Sequence, residues 1–471
     1  MSSEQRVGAG RTAVVIGASM GGLLAARALA DHHEQVTLVE RDALPHTAEH
    51  RKGTPQSRHA HAVLVGGLQA MEGLFPGLVA ELVAEGADYG DVSENARWFH
   101  GGAHHQPATS GHNAINVSRP LLEATVRRRL LELPNVQAVD GCDVLGLLTT
   151  PDRTRVTGVR VIRRRAGSAE ESISADLVVD AGGRGSRSPA WLEALGYARP
   201  PEEEVRIGVT YTSCEYRRRP EQGGPVALIV AASPEQPRGG VLLSQEGGRW
   251  ILTVAGYLGA QAPLDHAGLL EYVRGLAVPD LYERIRDAEP LGAPAAYKIP
   301  SNLRRRYEGL RRFPAGYLVF GDALCSFNPI YAQGMSVAAL EAEALGACLA
   351  QGEARLAERF FRRAAAIIDM PWGTAVGNDL RFPEIAGPRT AMTRFINWYL
   401  GKLHHAAHHD AEVSLAFLRV VNLQAPPPSL FRPAIVWRVL RGNLEPHRSE
   451  PAAVTPSARP DGRARSPGPG R

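Results

Sequence analysis

The chain of 471 residues holds only four cysteines, Cys142, Cys214, Cys325 and Cys348, and no two of them form a CxxC pair. That scatter excludes a zinc-ribbon site and a disulfide framework, and it fits a reducing, cytoplasmic setting. Lysine is scarcer still: Lys52, Lys298 and Lys402 are the only three among 53 basic residues, a skew that reads as codon bias. The net charge of +4 is too small to imply nucleic acid as a partner. No apolar run reaches the roughly 18 residues of a membrane span, and the stretch after Met1 lacks the apolar core of a signal peptide, so no integral membrane association is expected. The P-loop lysine pattern and a GxSxG nucleophile elbow are missing, as is any internal repeat of about 20 to 50 residues. What remains is globular, with 44% apolar and 22% charged residues, and long enough for two or three lobes.

The first informative stretch is a buried-strand run, Thr12 to Ile16, which ends on Gly17-Ala18-Ser19-Met20-Gly21-Gly22 and passes into an apolar helix pattern at Leu23, Leu24, Ala26 and Leu29. A second strand, Val36 to Val39, ends in Glu40, 23 positions after Gly17. Strand, glycine-rich turn, helix, strand and terminal acid in this order form the dinucleotide fingerprint. Gly17 makes the tight turn, Ser19 takes the place of the usual second glycine beside the pyrophosphate, and Gly22 lets helix and strand approach. Glu40 is the acceptor for the ribose, and Arg41 beside it is a further cofactor-binding candidate. This pattern alone does not separate FAD from NAD(P).

Some 300 residues later another apolar strand, Tyr317 to Phe320, runs into Gly321-Asp322-Ala323 and then Asn328-Pro329-Ile330-Tyr331-Ala332-Gln333-Gly334-Met335, followed by an Ala/Leu-rich helix to Leu349. This block resembles the GD motif of class A flavoprotein monooxygenases, in which an aspartate meets the ribityl hydroxyls of the flavin. Asp322 is the matching residue. The Gln333-Gly334 turn sets a helix N-terminus where its dipole favours the negative charge of a reduced flavin. Ser118 suits an N-cap with Pro120 in the first turn of the next amphipathic helix. In that family an arginine here contacts the cofactor, which makes Arg119 a candidate.

The segment Arg51-Lys52-Gly53-Thr54-Pro55-Gln56-Ser57-Arg58-His59-Ala60-His61 resembles the flavin-dependent olefin epoxidases of polyether antibiotic biosynthesis, the monensin and lasalocid epoxidases. The likeness includes Asp176 to Leu192 and the Phe327 to Tyr331 turn, and spans roughly residues 11 to 375. It implies Gln56, His59, His61 and Pro329 near the flavin. Two departures stand out. Gly182 occupies the place of the aspartate in the wider family's DG motif, which argues for electrons from NADPH or NADH through a separate flavin reductase. Cys325 stands near a common histidine position and is expected to pack only.

The expected fold is α/β. A Rossmann-type FAD-binding domain is split between residues 11–195 and 315–370, a mixed β-sheet substrate domain spans 196–314, and a helical region spans 371–446. Residues 447–471, rich in Pro, Ala, Arg, Ser and Gly, read as a disordered tail. Within the first part, residues 155 to 180 should form a hairpin about Gly167-Ser168. His404, His405, His408 and His409 have helical i,i+4 spacing, yet without a convincing further ligand they read as a solvated face, and no metal is expected.

The expected activity is FAD-dependent monooxygenation, most specifically epoxidation of a carbon-carbon double bond in a lipophilic polyketide or terpenoid. A flavin C4a-hydroperoxide, formed from O2, would be the oxygen donor, so no side chain is assigned as catalytic. The alternatives are an aromatic hydroxylase of the same family, a dehydrogenase or redox-neutral flavoenzyme, and a flavin-binding redox sensor. The WxWxIP signature associated with flavin-dependent tryptophan halogenases is missing, which argues against halogenation.

Overall fold

The computed structural model describes residues 11–219 and 221–444; the expected tail at 447–471 lies outside them. The first unit is β1 (Thr12–Ile16), α1 (Met20–Ala30) and β2 (Gln35–Val39). It belongs to a five-stranded sheet, all of whose pairings are parallel, in the order 317–319, 177–180, 12–16, 35–39, 136–139. Sheets with helical crossovers are covered on both faces, so their strands become continuous apolar runs. Val14, Val15, Leu38, Val178, Val179, Leu318 and Val319 accordingly have at most 1% of their surface exposed. The strand order reverses at β1, with β2 on one side and Leu177–Asp180 on the other, and a crevice opens at the carboxyl ends there. The helix Gly334–Leu349 packs on α1 and thus brings the late block back to the opening unit.

A three-stranded antiparallel sheet follows the fifth parallel strand and contains the expected hairpin, Val156–Arg163 with Glu170–Ser174. The larger sheet is mixed and eight-stranded, built mainly on Glu202–Arg217, Ala227–Val230, Arg238–Gln245, Arg249–Gly256 and Ala295–Arg305. Two of its strands, Ala96–His100 and Ala103–His104, come from the segment expected to lie wholly in the first lobe. Their short, mixed sequence carries no clean alternation, and pairing with Ala227–Val230 makes them strands.

The C-terminal region is helical, as expected: Leu356–Asp379, Ala391–Ala407, Ala411–Val421 and Pro433–Gly442, with a 3₁₀ turn at Pro427–Phe431 where the prolines interrupt. The histidines here depart from expectation. His404 and His408 are buried, and with His100 and His105 they form a cluster that fastens the helical region to the edge of the large sheet. His100 and His404 rings lie 3.8 Å apart, His105 Nε2 is 3.1 Å from His404 Nδ1, and Trp98 stacks on His105. Packing against Trp98 and Phe417 makes this face an internal seam. Among the described residues no group of three or more His, Cys, Asp or Glu side chains is arranged to hold a metal ion.

Candidate functional site

A cleft of about 620 Å³ runs along the carboxyl ends of the parallel strands and under the large sheet. Gly17, Ser19, Glu40, Arg41, Arg119, Asp322, Gln333 and Gly334 line it, as do Gln56, His59, His61 and Pro329. Gly22 does not. A Cβ on Gly22 would stand 1.8 Å from the Gly17 carbonyl oxygen, so its absence lets α1 press against the turn that lines the cleft. Gly17 has φ +95°, and a Cβ there would meet the Ala181 carbonyl at 2.8 Å. Its N–H donates to the Val39 carbonyl at 2.8 Å, which fixes the turn to the end of β2.

Glu40 accepts hydrogen bonds from Ala18 N at 2.8 Å and Asp42 N at 3.1 Å, which holds its carboxylate at the cleft wall. Behind it lies a buried ionic chain that the sequence did not disclose. Arg51 reaches Glu40 at 3.3 Å and Glu123 at 2.8 Å, and Arg119 takes the other oxygen of Glu123 at 2.9 Å. Burial alone would raise the Glu123 pKa, but Arg119 and Arg51 overcome it and hold the group below its ordinary value. Arg119 also donates to Ser19 Oγ at 2.9 Å and touches Met335 Sδ at 3.3 Å, so one guanidinium joins the first loop to the late helix. The i,i+4 spacing of Arg119 and Glu123 is a sequence signal for half of this chain; nothing local marks Arg51. The helix itself starts as expected, with Ser118 Oγ accepting from Leu121 N.

Asp322 opens onto the cleft while the protein behind it raises its pKa. A carboxyl beside it is more perturbed: burial and the Asp322 charge push fully buried Glu341 up to about 8, although Glu341 accepts from Gly321 N at 2.8 Å. Glu341 is therefore mostly protonated at neutral pH and adds little charge behind Asp322. Gln333, at the start of the helix Gly334–Leu349, is buried, and its Oε1 has no hydrogen-bond partner among the described residues. An orphaned amide oxygen beside uncapped helix N–H groups is a site built for a polar ligand edge.

On the sheet side, His59 Nδ1 lies 2.7 Å from Ser213 Oγ, and Ala60 N donates to Thr253 Oγ1 at 2.7 Å. Burial, then Arg58, lowers the His59 pKa to about 4; burial, then Arg119, lowers that of His61 to about 3. Tyr211, Tyr297, Ile299 and Pro300 extend this wall. The Pro329–Tyr331 turn is tied from behind by Asp379, which accepts from Asn302 at 2.7 Å, Tyr331 OH at 2.9 Å, Tyr257 OH at 3.0 Å and Asn328 at 3.0 Å. Cys325 is buried with its thiol pKa well raised, a packing residue as expected.

The fold is like that of flavin-dependent enzymes among the solved structures. Flavin-dependent brominase Bmp2 superposes with a TM-score of 0.60 at 17% identity, covering 91% of this chain and 99% of that one. The p-nitrophenol 4-monooxygenase PnpA of Pseudomonas putida DLL-E4 gives a TM-score of 0.60 at 16% identity, covering 88% and 99%. At such identities the likeness is one of fold. No family model matches the chain. Protein Rv3254 of Mycobacterium tuberculosis (strain ATCC 25618 / H37Rv) is 39% identical over 343 residues, 70% of this chain and 71% of that protein. The chain belongs to the same family as Protein Rv3254.

Proposed function

We propose that the protein is an FAD-dependent monooxygenase that epoxidises a carbon-carbon double bond of a lipophilic polyketide or terpenoid. The observation that carries this reading is the meeting, in one cleft, of the Gly17 to Ser19 turn with Asp322 and the Gln333-Gly334 helix start. These residues fit FAD. Gly17 and Ser19 would face the pyrophosphate, Glu40 and Arg41 the adenosine end, Arg119 and Asp322 the middle, and Gln333 with the helix N–H groups the flavin's polar edge. When bound and reduced, the flavin supplies O2 activation and transfer of one oxygen atom. The chain's own part is to exclude water and to seat the substrate against Tyr211, Tyr297, Ile299 and Pro329. An alkene needs no deprotonation, whereas a phenol gains from a base. His59 and His61, with pKa values of about 4 and 3, are weak bases, which favours the alkene.

A Cβ at Gly182 would lie 2.8 Å from Asp180 Oδ1, so an aspartate at 182 could enter only if Asp180 moved. Gly182 leaves that position without the carboxylate of the wider family, which supports delivery of electrons from NADPH or NADH by a separate flavin reductase. The test is product analysis with isotopically labelled O2 and a panel of polyenes, after anaerobic mixing with NADPH, first alone and then with a reductase. Epoxide carrying the label, formed only with the reductase, is the expected outcome. Rapid bleaching by NADPH alone would favour an aromatic hydroxylase, oxidation without incorporated oxygen a dehydrogenase, and a halogenated product in the presence of bromide would place the chain with the halogenating enzymes. A protein that binds no FAD would defeat the reading.

A further inference from the structure

From Ile385 to Leu444 the chain carries seven lysine and arginine residues against two acids, Asp410 and Glu412, a net +5. The same segment exposes large apolar side chains in an ordered way. The first turns of the helix Ala391–Ala407 present Met392, Phe395 and Trp398, each three residues from the next, with Trp398 57% exposed. The helix Pro433–Gly442 turns Val439 inward and leaves Trp437 and Leu440 outward beside Arg441, a stripe that Leu444 prolongs; Trp437 is 59% and Leu444 83% exposed. Phe431 joins the two, stacking on Phe395 at 6.1 Å and on Tyr399 at 4.6 Å. The Arg441 guanidinium lies 5.3 Å over the Trp437 ring. None of the described residues covers this face.

Exposed tryptophans set among basic side chains on amphipathic helices are the chemistry of an interface between water and acyl chains. We infer that this face docks the protein on an anionic lipid surface, peripherally and without spanning it. Two other occupants fit less well. A second copy would set one arginine-bearing face against another, and residues 445–471 contain no Phe, Tyr or Trp and Val454 as their only branched aliphatic residue. Exposed Arg432 and Arg441, the latter also 3.9 Å from Asp410, would meet lipid phosphates while Trp398 and Trp437 enter the interface.

Flotation of the full chain with phosphatidylcholine vesicles, with and without phosphatidylglycerol, tests this without reference to cofactor or turnover. Binding should require the anionic lipid, weaken with salt and shift the tryptophan emission to the blue. Joint Trp398→Ser and Trp437→Ser substitution should lower the bound fraction roughly tenfold, with melting unchanged because both side chains are mostly exposed. Arg432→Gln with Arg441→Gln, which leaves the apolar face intact, should abolish the preference for anionic lipid. No flotation at low salt, flotation that both double variants retain, or a dimer that the tryptophan variants dissociate would each overturn the inference, the last in favour of a second copy.

Discussion

Replacing His105 by phenylalanine should remove part of the protein's acid sensitivity. His100 and His105 have pKa values lowered to about 3 and about 4, by burial first and then by the positive charge of neighbouring groups, and His404 too is held well below its ordinary value, by burial first. The groups facing the cluster are Arg381, His408 and His104, and His104 is itself paired with Asp280 at 2.6 Å. A depressed histidine stays neutral in the native chain while the unfolded chain takes up a proton below about pH 6.5. Stability therefore falls as pH drops from about 6.5 towards the folded values. At about pH 5 the loss is ~2 kcal/mol for each of the two, on the scale of 1.36 kcal/mol per pKa unit. A phenylalanine at 105 keeps the contacts with Trp98 and Phe417. It loses the bond to His404, but it also removes Nδ1, a buried nitrogen with no partner among the described residues. The change at about pH 8 should accordingly stay within ~1 kcal/mol. Urea unfolding followed by circular dichroism at both pH values gives the comparison: the difference in stability between them should shrink by ~2 kcal/mol in the variant. An unchanged difference would show that His105 does not titrate as its burial requires.

Three further substitutions probe the site. Asp322→Ala should lower FAD occupancy, read by absorbance after gel filtration, much more than it changes melting of the apo chain; unaltered affinity would remove Asp322 from the cofactor's contacts. Gly22→Ala forces a methyl into the Gly17 carbonyl and should destabilise by about 3 kcal/mol or more, because backbone meets backbone; melting within a degree or two of the parent would refute the close approach. Asp379→Leu strands the hydroxyls of Tyr257 and Tyr331 and the amides of Asn302 and Asn328, and should cost about 3 kcal/mol or more in chemical unfolding. A neutral result there would mean that the donors find other acceptors.

Most of the fold was legible because its signals are local. Thr12 to Glu40 carries its strand, turn, helix and acid in consecutive residues, and the Tyr317 to Leu349 block repeats that clarity. Ser118 declares its helix by a cap that reaches only three residues ahead. What escaped was set by partners distant in sequence. Arg51 gains its place from Glu40 and Glu123, Asp379 from a turn some fifty residues earlier, and the strands at 96–104 from Ala227–Val230. The histidines at 404 and 408 looked like a wet face since polar residues at helical spacing usually are one; Trp98, His100 and His105, about 300 residues upstream, close over that face.

The position of strand 317–319 has a consequence for biosynthesis. The opening unit is complete once Glu40 has been translated, but its central strand needs a neighbour at 177–180, and that neighbour needs 317–319 on its far edge. Asp322 and the helix beginning at Gly334 follow directly, so both walls of the cleft exist only when the ribosome has passed residue 334 of 471. Until then the nascent chain exposes an apolar, half-built sheet edge, the kind of surface that chaperones recognise. The complete cleft is thus available only in the last third of synthesis or after release, and a truncated chain ending before that helix would present one of its two walls.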